Sequence, residues 1–98
     1  MKNQKKQFVI VRTYSAGVHA GYIEKLEGKS ICLTNCIRIW YWSGAASLSQ
    51  LAMEGVKNPD ACRFAMPVDR IILTEAIEII TATEKARKNI QAVKSWKQ

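Results

Sequence analysis

One segment of the 98-residue sequence combines aromatic, basic and hydroxyl side chains at close spacing; it runs RIWYWSGAAS from Arg38 to Ser47. On a strand, alternation sends Trp40 and Trp42 to one face and Tyr41 to the other. Indole rings stack on planar groups, arginines bind phosphates, and the N-terminus of a following helix attracts anions. The segment therefore predicts a site for a phosphorylated ligand that carries a ring. The alternative is that the rings fill the core and the small residues allow a tight turn.

A second segment, RTYSAGVHAG from Arg12 to Gly21, alternates polar groups with small residues. Gly17 and Gly21 permit close approach of another backbone or of a ligand. His19 can exchange a hydrogen bond with a ligand, but the sequence shows no obvious Cys, Ser or Asp partner for nucleophilic catalysis. The alternative is a bulged hairpin in which His19 is an ordinary surface or core residue.

The two segments supply the candidate ligand-binding residues. Arginines are expected to meet phosphate, a Trp or Tyr to stack on a base, and serines to bind ribose or phosphate oxygens. The set consists of Arg12, Tyr14, Ser15, His19, Arg38, Trp40, Trp42, Ser43 and Ser47. Each arginine has an alternative in an ordinary exposed ion pair. The sequence has no P-loop, no G-x-S-x-G motif and no evident carboxylate pair, so it predicts neither a catalytic residue nor a cofactor.

The formal net charge of +7 suggests an anionic partner. The excess of positive charge lies at the two ends of the chain. Three lysines precede Gln7, and the stretch from Glu84 to Lys97 holds five bases against one acid, whereas residues 7–83 are neutral in sum. Specific recognition is therefore expected in the neutral body, which favours a small ligand over nucleic acid.

The three cysteines, Cys32, Cys36 and Cys62, are an odd number and do not predict a disulfide framework. Their spacing with His19 matches no common zinc motif, so they are expected to be buried thiols without a metal. The apolar run that follows the basic N-terminus is short and ends at Arg12, so a signal peptide is not expected. No stretch approaches the ~20 apolar residues that span a bilayer. The expected location is a reducing cytoplasm, away from membranes.

Three stretches rich in β-branched and aromatic residues predict an antiparallel meander. They are Phe8–Tyr14, Val18–Leu26 and Ser30–Trp42. The alternation of the third slips near Asn35, which is typical of a β-bulge. A short helix is expected to follow, because Ser47 and Gln50 have capping-box spacing and Gly55 is a helix stop.

The stretch 70–81 fits either a strand or a helix, and its density of β-branched residues favours a strand. A second capping-box signal stands at Thr81, ahead of an amphipathic helix over 84–94. The predicted fold class is α+β, with a small antiparallel sheet of three to four strands, a short internal helix and an amphipathic C-terminal helix. We expect a flexible basic tail over residues 1–7 and one domain over 8–98.

Four blocks of the sequence resemble a family of small uncharacterised bacteriophage proteins of about this length. The blocks are RTYSAGVHAG (12–21), RIWYWSGAASLSQLA (38–52), CRFAMPVDRIILTEAIEI (62–79) and TEKARKNI (83–90). The family is a domain of unknown function, so the resemblance implies an origin and assigns no catalytic residue. It implies a phage gene expressed in the cytoplasm of the infected bacterium.

The leading hypothesis is a phage counter-defence protein that binds and sequesters a host nucleotide-derived immune signal without cleaving it. The phage resemblance supplies the context, because small phage proteins of this kind include such factors. A homo-oligomer is expected, since a short chain has little room for a deep pocket of its own. Two alternatives stay open: a nucleic-acid-binding module, and an inhibitor or adaptor that docks on a host protein through the basic C-terminal helix.

Overall fold

A computed structural model describes residues 6–97, and this part of the chain holds six strands and two α-helices. The strands are β1 (Phe8–Thr13), β2 (Val18–Glu27), β3 (Ser30–Tyr41), β4 (Arg63–Phe64), β5 (Val68–Leu73) and β6 (Ala76–Thr81). The helices are α1 (Leu48–Glu54) and α2 (Glu84–Gln91), with a 3-10 turn over Pro59–Ala61. Residues 1–5 of the predicted tail over residues 1–7 lie outside the described residues.

All the strands join one antiparallel sheet, whose order is β4-β3-β2-β1-β6, with β5 paired to the first half of β3. The predicted meander of β1, β2 and β3 and the α+β class are confirmed. The predicted count of three to four strands is wrong, because the structure has six. The two-residue β4 is too short to leave a pattern in the sequence, and the stretch 70–81 forms two strands instead of one.

The two strands of this stretch pair on opposite sides of the meander. β5 pairs with β3, and β6 pairs with β1, although only Thr74 and Glu75 connect them. The sheet must therefore curl so that its two flanks approach each other. Leu73 and Ala76, on either side of the connection, pack into the same hydrophobic cluster.

A β-bulge in β3 confirms the predicted slip of alternation. Between the pairs Ala20–Ile37 and Tyr22–Thr34, β2 advances by two residues and β3 by three. The extra residue lies next to Asn35, whose φ of 48° is in the left-handed region. Because strand side chains alternate between faces, one extra residue exchanges the faces for the rest of the strand.

The sheet buries a separate hydrophobic cluster on each face. The helix-side core holds the buried side chains Phe8, Ile10, Ala20, Ile37, Ile39, Leu51, Ala52, Val56, Cys62, Phe64, Ala86, Ile90 and Val93. The strand core holds Val9, Val11, Ile31, Leu33, Cys36 and Leu73. Before the bulge, odd-numbered residues of β3 enter the strand core; after it, odd-numbered residues enter the helix-side core.

Each helix begins at a hydroxyl cap. Ser47 accepts a hydrogen bond from the Gln50 N–H at 3.1 Å, as predicted, and α1 is followed by Gly55 with φ 80°. The second cap is Thr83, which accepts from the Ala86 N–H at 3.0 Å, and not Thr81, because β6 continues through Thr81 in its pairing with β1. The helix α2 ends at Gln91 and is shorter than predicted.

We expect Asn35→Val to lower the free energy of unfolding by about 1–3 kcal/mol, because a β-branched residue strains at positive φ. Asn35→Gly, the matched control at this exposed position, is expected to stay within about 1 kcal/mol of the parent protein. Urea unfolding at pH 7.5 measures both variants. Equal losses would contradict a left-handed residue in the bulge.

Candidate ligand-binding site

An open pocket of about 390 Å³ lies between the turn that connects β1 to β2 and the second half of β3. It is lined by Ser15, Ala16, Gly17, Arg38, Ile39 and Trp40. Three of these, Ser15, Arg38 and Trp40, come from the predicted set. The pocket therefore joins the two segments that the sequence singles out.

The turn that forms one wall of the pocket is held by hydrogen bonds. The Thr13 hydroxyl accepts from the Ala16 N–H and donates to the Gly17 carbonyl, both at 2.8 Å. Gly17 has φ 86°, a left-handed conformation that glycine adopts without strain. Ser15 Oγ donates to Glu75 Oε1 at 2.7 Å, which ties the turn to the connection between β5 and β6.

His19 is fully buried behind the same turn. Its Nε2 lies 2.9 Å from the Ala16 carbonyl oxygen. Because a carbonyl only accepts, Nε2 carries the proton, and Nδ1 is left to accept from the Cys36 thiol, whose Sγ lies 3.9 Å away. Cys36 is a partner of His19 that is not evident from the sequence, because the bulge places it beside the imidazole.

Both members of this buried pair have shifted pKa values. Burial lowers the pKa of His19, the hydrogen bond to Ala16 opposes this, and the positive charge of Arg38 lowers it further. Burial raises the pKa of Cys36 to about 12, with Arg38 acting in the opposite direction. Imidazole and thiol are therefore both neutral at pH 7.

Arg38 and Trp40 point to the pocket side of β3. Their neighbours Ile37 and Ile39 enter the helix-side core, so alternation turns Arg38 and Trp40 to the opposite face. The Trp40 side chain is 63% exposed. None of the ion pairs formed within residues 6–97 involves the Arg38 guanidinium. The pocket thus presents an uncommitted cation next to an exposed ring.

The other residues of the predicted β1 segment lie outside the pocket. Arg12 pairs with Val18, whose side chain packs on the helix-side core, so Arg12 is on the opposite face from Arg38. Its Nε donates to Glu78 Oε1 at 3.0 Å. Tyr14, in the turn, is 79% exposed and is not among the residues that line the pocket.

The end of the aromatic segment has a structural role. Trp42 packs against the helix-side core and donates from Nε1 to the Ala45 carbonyl at 3.2 Å. Ser43 Oγ accepts from Asn58 Nδ2 at 3.1 Å, and Ser47 caps α1. The structure therefore does not bring Trp42, Ser43 and Ser47 together with Arg38 and Trp40 at the pocket.

One family matches most of the sequence. It is described as a domain of unknown function, DUF6948, and the match covers residues 6–90. The chain belongs to the DUF6948 family. No curated protein and no solved structure matches the chain. Membership agrees with the predicted domain of unknown function, while the phage origin stays a prediction.

A larger pocket of about 630 Å³ in this DUF6948 domain escaped the sequence analysis. Its lining includes Lys6, Phe8, Tyr22, Thr34, Thr83 and Arg87. The Arg87 guanidinium already binds Glu84, Gln91 and the Tyr22 hydroxyl. The sequence feature that could have pointed to this pocket is the i, i+4 spacing of Arg87 and Gln91, which places both side chains on one face of the predicted helix.

Two further expectations concern metals and membranes. Across residues 6–97, no three His, Cys, Asp or Glu side chains are grouped as metal ligands. Cys32, Cys36 and Cys62 are buried free thiols, as predicted. No helix in the described part of the DUF6948 chain is long and apolar enough to cross a bilayer.

We expect Ser47→Ala to lower the free energy of unfolding by about 1 kcal/mol, because it removes the cap of α1. Ser49→Ala, a matched substitution inside the same helix, is expected to change it by less than about 0.5 kcal/mol. Chemical denaturation measures both. If Ser47→Ala instead weakens ligand binding and leaves the free energy of unfolding unchanged, Ser47 contacts the ligand and is not only a helix cap.

The lowered pKa of His19 predicts a loss of stability in mild acid. The unfolded chain takes up the proton first as the pH falls below about 6.5, whereas the folded imidazole stays neutral. The stabilisation is therefore complete above this pH and is lost as the pH falls towards the folded pKa, by at most about 1.4 kcal/mol per pH unit.

His19 is the sole histidine of the sequence, so His19→Gln is a clean control. Urea unfolding is measured at pH 7.5, 6.5 and 5.5 for both proteins. We expect the stability of the variant to vary less with pH than that of the parent. Identical pH profiles would contradict a buried neutral imidazole.

Proposed function

We propose that this DUF6948 protein binds and sequesters a nucleotide-derived small molecule without cleaving it. The observation that supports this most directly is the pairing of Arg38, which has no ion-pair partner within residues 6–97, with the exposed ring of Trp40 at one pocket. An unpaired arginine suits a phosphate, and an exposed indole suits a base.

The proposed contacts divide between the two walls of the pocket. Arg38 binds phosphate oxygens and Trp40 stacks on the base, both from β3. The turn offers backbone groups and the Ser15 hydroxyl oxygen, which donates its proton to Glu75 and can still accept a hydrogen bond from a ribose hydroxyl. This pocket is preferred over the larger one, because the arginine there, Arg87, is already bound to protein groups.

Binding without cleavage is proposed because the imidazole behind the pocket is buried and cannot activate a nucleophile there, and a carboxylate alone is a weak base for a serine hydroxyl. The His19 imidazole is fully buried and donates to the Ala16 carbonyl. The Ser15 hydroxyl donates to the Glu75 carboxylate. We therefore expect a bound ligand to be recovered chemically intact.

The biological setting is part of the proposal. We infer a phage counter-defence role in the cytoplasm of the infected bacterium, in which the ligand is a host immune signal. The pocket is open to solvent, so a second copy of the chain is expected to complete its enclosure in a homo-oligomer. Sedimentation equilibrium tests the oligomer, and a protein that stays monomeric with and without ligand would exclude a shared pocket.

The binding test uses calorimetry with a panel of cyclic dinucleotides and ADP-ribose derivatives. For any ligand that binds, we expect Arg38→Ala and Trp40→Ala each to weaken binding by about tenfold or more, since each removes a charged hydrogen bond or a stacked ring. Arg12→Ala is the matched control on the opposite face and should stay within about twofold.

Two outcomes would contradict the proposal. If no compound of the panel binds, the protein does not sequester this class of ligand. If a ligand binds and Arg12→Ala weakens it as much as Arg38→Ala does, the ligand occupies another surface. Chromatography of the released ligand tests the absence of cleavage.

A further inference from the structure

A second exposed tryptophan lies beyond the pocket, on the same side of the sheet. Trp96 is 52% exposed and its ring centroid lies 5.2 Å from the guanidinium carbon of Arg63. We call Trp40, Arg63 and Trp96 the aromatic strip. Of these three residues, only Trp40 lines the pocket. The proposed function assigns no role to Arg63 and Trp96.

The strip crosses three neighbouring backbone segments. β4 pairs with the end of β3, through Ile39–Phe64 and Tyr41–Arg63. On the outer side of β4, the backbone N–H of Trp96 donates to the Phe64 carbonyl at 2.8 Å, and Ser95 forms a parallel bridge with Phe64. The C-terminal segment thus lies against β4 through a single β-bridge.

Alternation fixes which face the strip occupies. Phe64 and Ile39 enter the helix-side core, so Arg63 and Trp40, next to them in sequence, point to the opposite face. The register of β3 and β4 shifts between Ile39 and Tyr41, so Trp40 and Tyr41 both stand opposite Arg63. Trp96 contacts the Arg63 guanidinium and therefore shares that face. Trp40, Arg63 and Trp96 follow one another on the face that also carries Arg38.

The charges of the strip match a phosphodiester. Arg63, like Arg38, forms none of the ion pairs found within residues 6–97. Arg63 is carried by β4, whose backbone lies between β3 and the C-terminal segment, and its guanidinium lies over the Trp96 ring. A phosphate bound at Arg63 would therefore stand between one base on Trp40 and another on Trp96.

The spacing requires bases that are not stacked on each other. Neighbouring strands lie about 4.8 Å apart, so the backbones that carry Trp40 and Trp96 are about 10 Å apart. Bases of a duplex follow each other at roughly 3.4 Å. The ligand must therefore be splayed, as single strands and small dinucleotides can be.

We propose that the aromatic strip binds the second base of a ligand in which two nucleotides are joined by a phosphodiester. Trp40 stacks on one base, Arg63 binds the linking phosphate and Trp96 stacks on the other base. This inference rests on the proposed function for the first base, and it names the ligand class as a dinucleotide unit. The unit can come from a free dinucleotide or from a single-stranded nucleic acid.

The experiment measures binding of four probes by calorimetry: adenosine monophosphate, linear diadenylate, cyclic di-adenosine monophosphate and a ten-residue oligoadenylate. We expect at least one two-base probe to bind about tenfold or more tightly than the mononucleotide. Trp96→Ala should weaken binding of that two-base probe by about tenfold, because it removes the ring on which the second base stacks. The affinity for the mononucleotide, which has no second base, should change by less than about twofold. Trp96→Phe should retain most of the affinity, which separates stacking from a general effect on the fold.

The outcomes for Trp40 and Trp96 are distinguishable. Weaker binding of every probe by Trp40→Ala, with no effect of Trp96→Ala on any of them, would overturn the strip and leave the proposed function standing. Absence of binding for all four probes would also overturn the strip, and the wider ligand panel would then decide the proposed function separately.

The source of the dinucleotide unit follows from length and salt. A decamer that binds more tightly than either dinucleotide, with affinity falling steeply between about 50 and 200 mM salt, supports a nucleic acid strand. A dinucleotide that binds at least as tightly as the decamer, with weak salt dependence, supports a free small molecule. Both results support the strip as a two-base site.

Discussion

The arrangement of this molecule depends on a single extra residue in β3. Strand side chains alternate between the faces of a sheet, so one inserted residue exchanges the faces for everything beyond it. Without the bulge at Asn35, Arg38 and Trp40 would point into the helix-side core, and Ile37 and Ile39 would take the pocket side. Asparagine adopts the left-handed conformation seen here, with φ 48°, more readily than most residues. This irregularity therefore decides that Ile37 and Ile39 are buried while Arg38 and Trp40 are exposed.

The bulge also explains a buried histidine. Cys36 directly follows Asn35, and Gly21 on β2 leaves room for it: a Cβ added to Gly21 would lie 3.1 Å from the Cys36 Cα. His19 bonds to Cys36 on one side and to the Ala16 carbonyl on the other. Burying polar groups is costly unless they are hydrogen-bonded, and none of the buried side-chain N or O atoms described in residues 6–97 lacks a partner. This chain of contacts links the bulge to the turn that walls the pocket.

Sequence predicts the elements whose signal is local, and misses those decided by pairing. Alternation and β-branching predict the meander, whereas the stretch 70–81 holds no Gly or Pro to mark its break, which depends on pairing with β3 and β1. Within the site, alternation places Trp40 and Trp42 on one face, but β3 ends at Tyr41 and Trp42 turns to the helix-side core. Arg12 and Arg38 each begin one of the two candidate segments, and nothing local in the sequence distinguishes them. Only the register of β1, β2 and β3 shows that they occupy opposite faces.

The charge of the body becomes informative only when its pairs are known. Residues 7–83 are neutral in sum, yet three of their carboxylates are already bound to bases. These pairs are Glu24 with Arg70, Glu27 with Lys25 and Glu78 with Arg12. Arg38 and Arg63 take no part in the ion pairs of the described residues, and both lie on the face where Trp40 and Trp96 are exposed. Two large rings left in water carry a hydrophobic cost, and two unpaired cations beside them favour an anion. The proposed ligand, with its bases and phosphates, would relieve both at once, which a purely apolar or purely anionic partner would not.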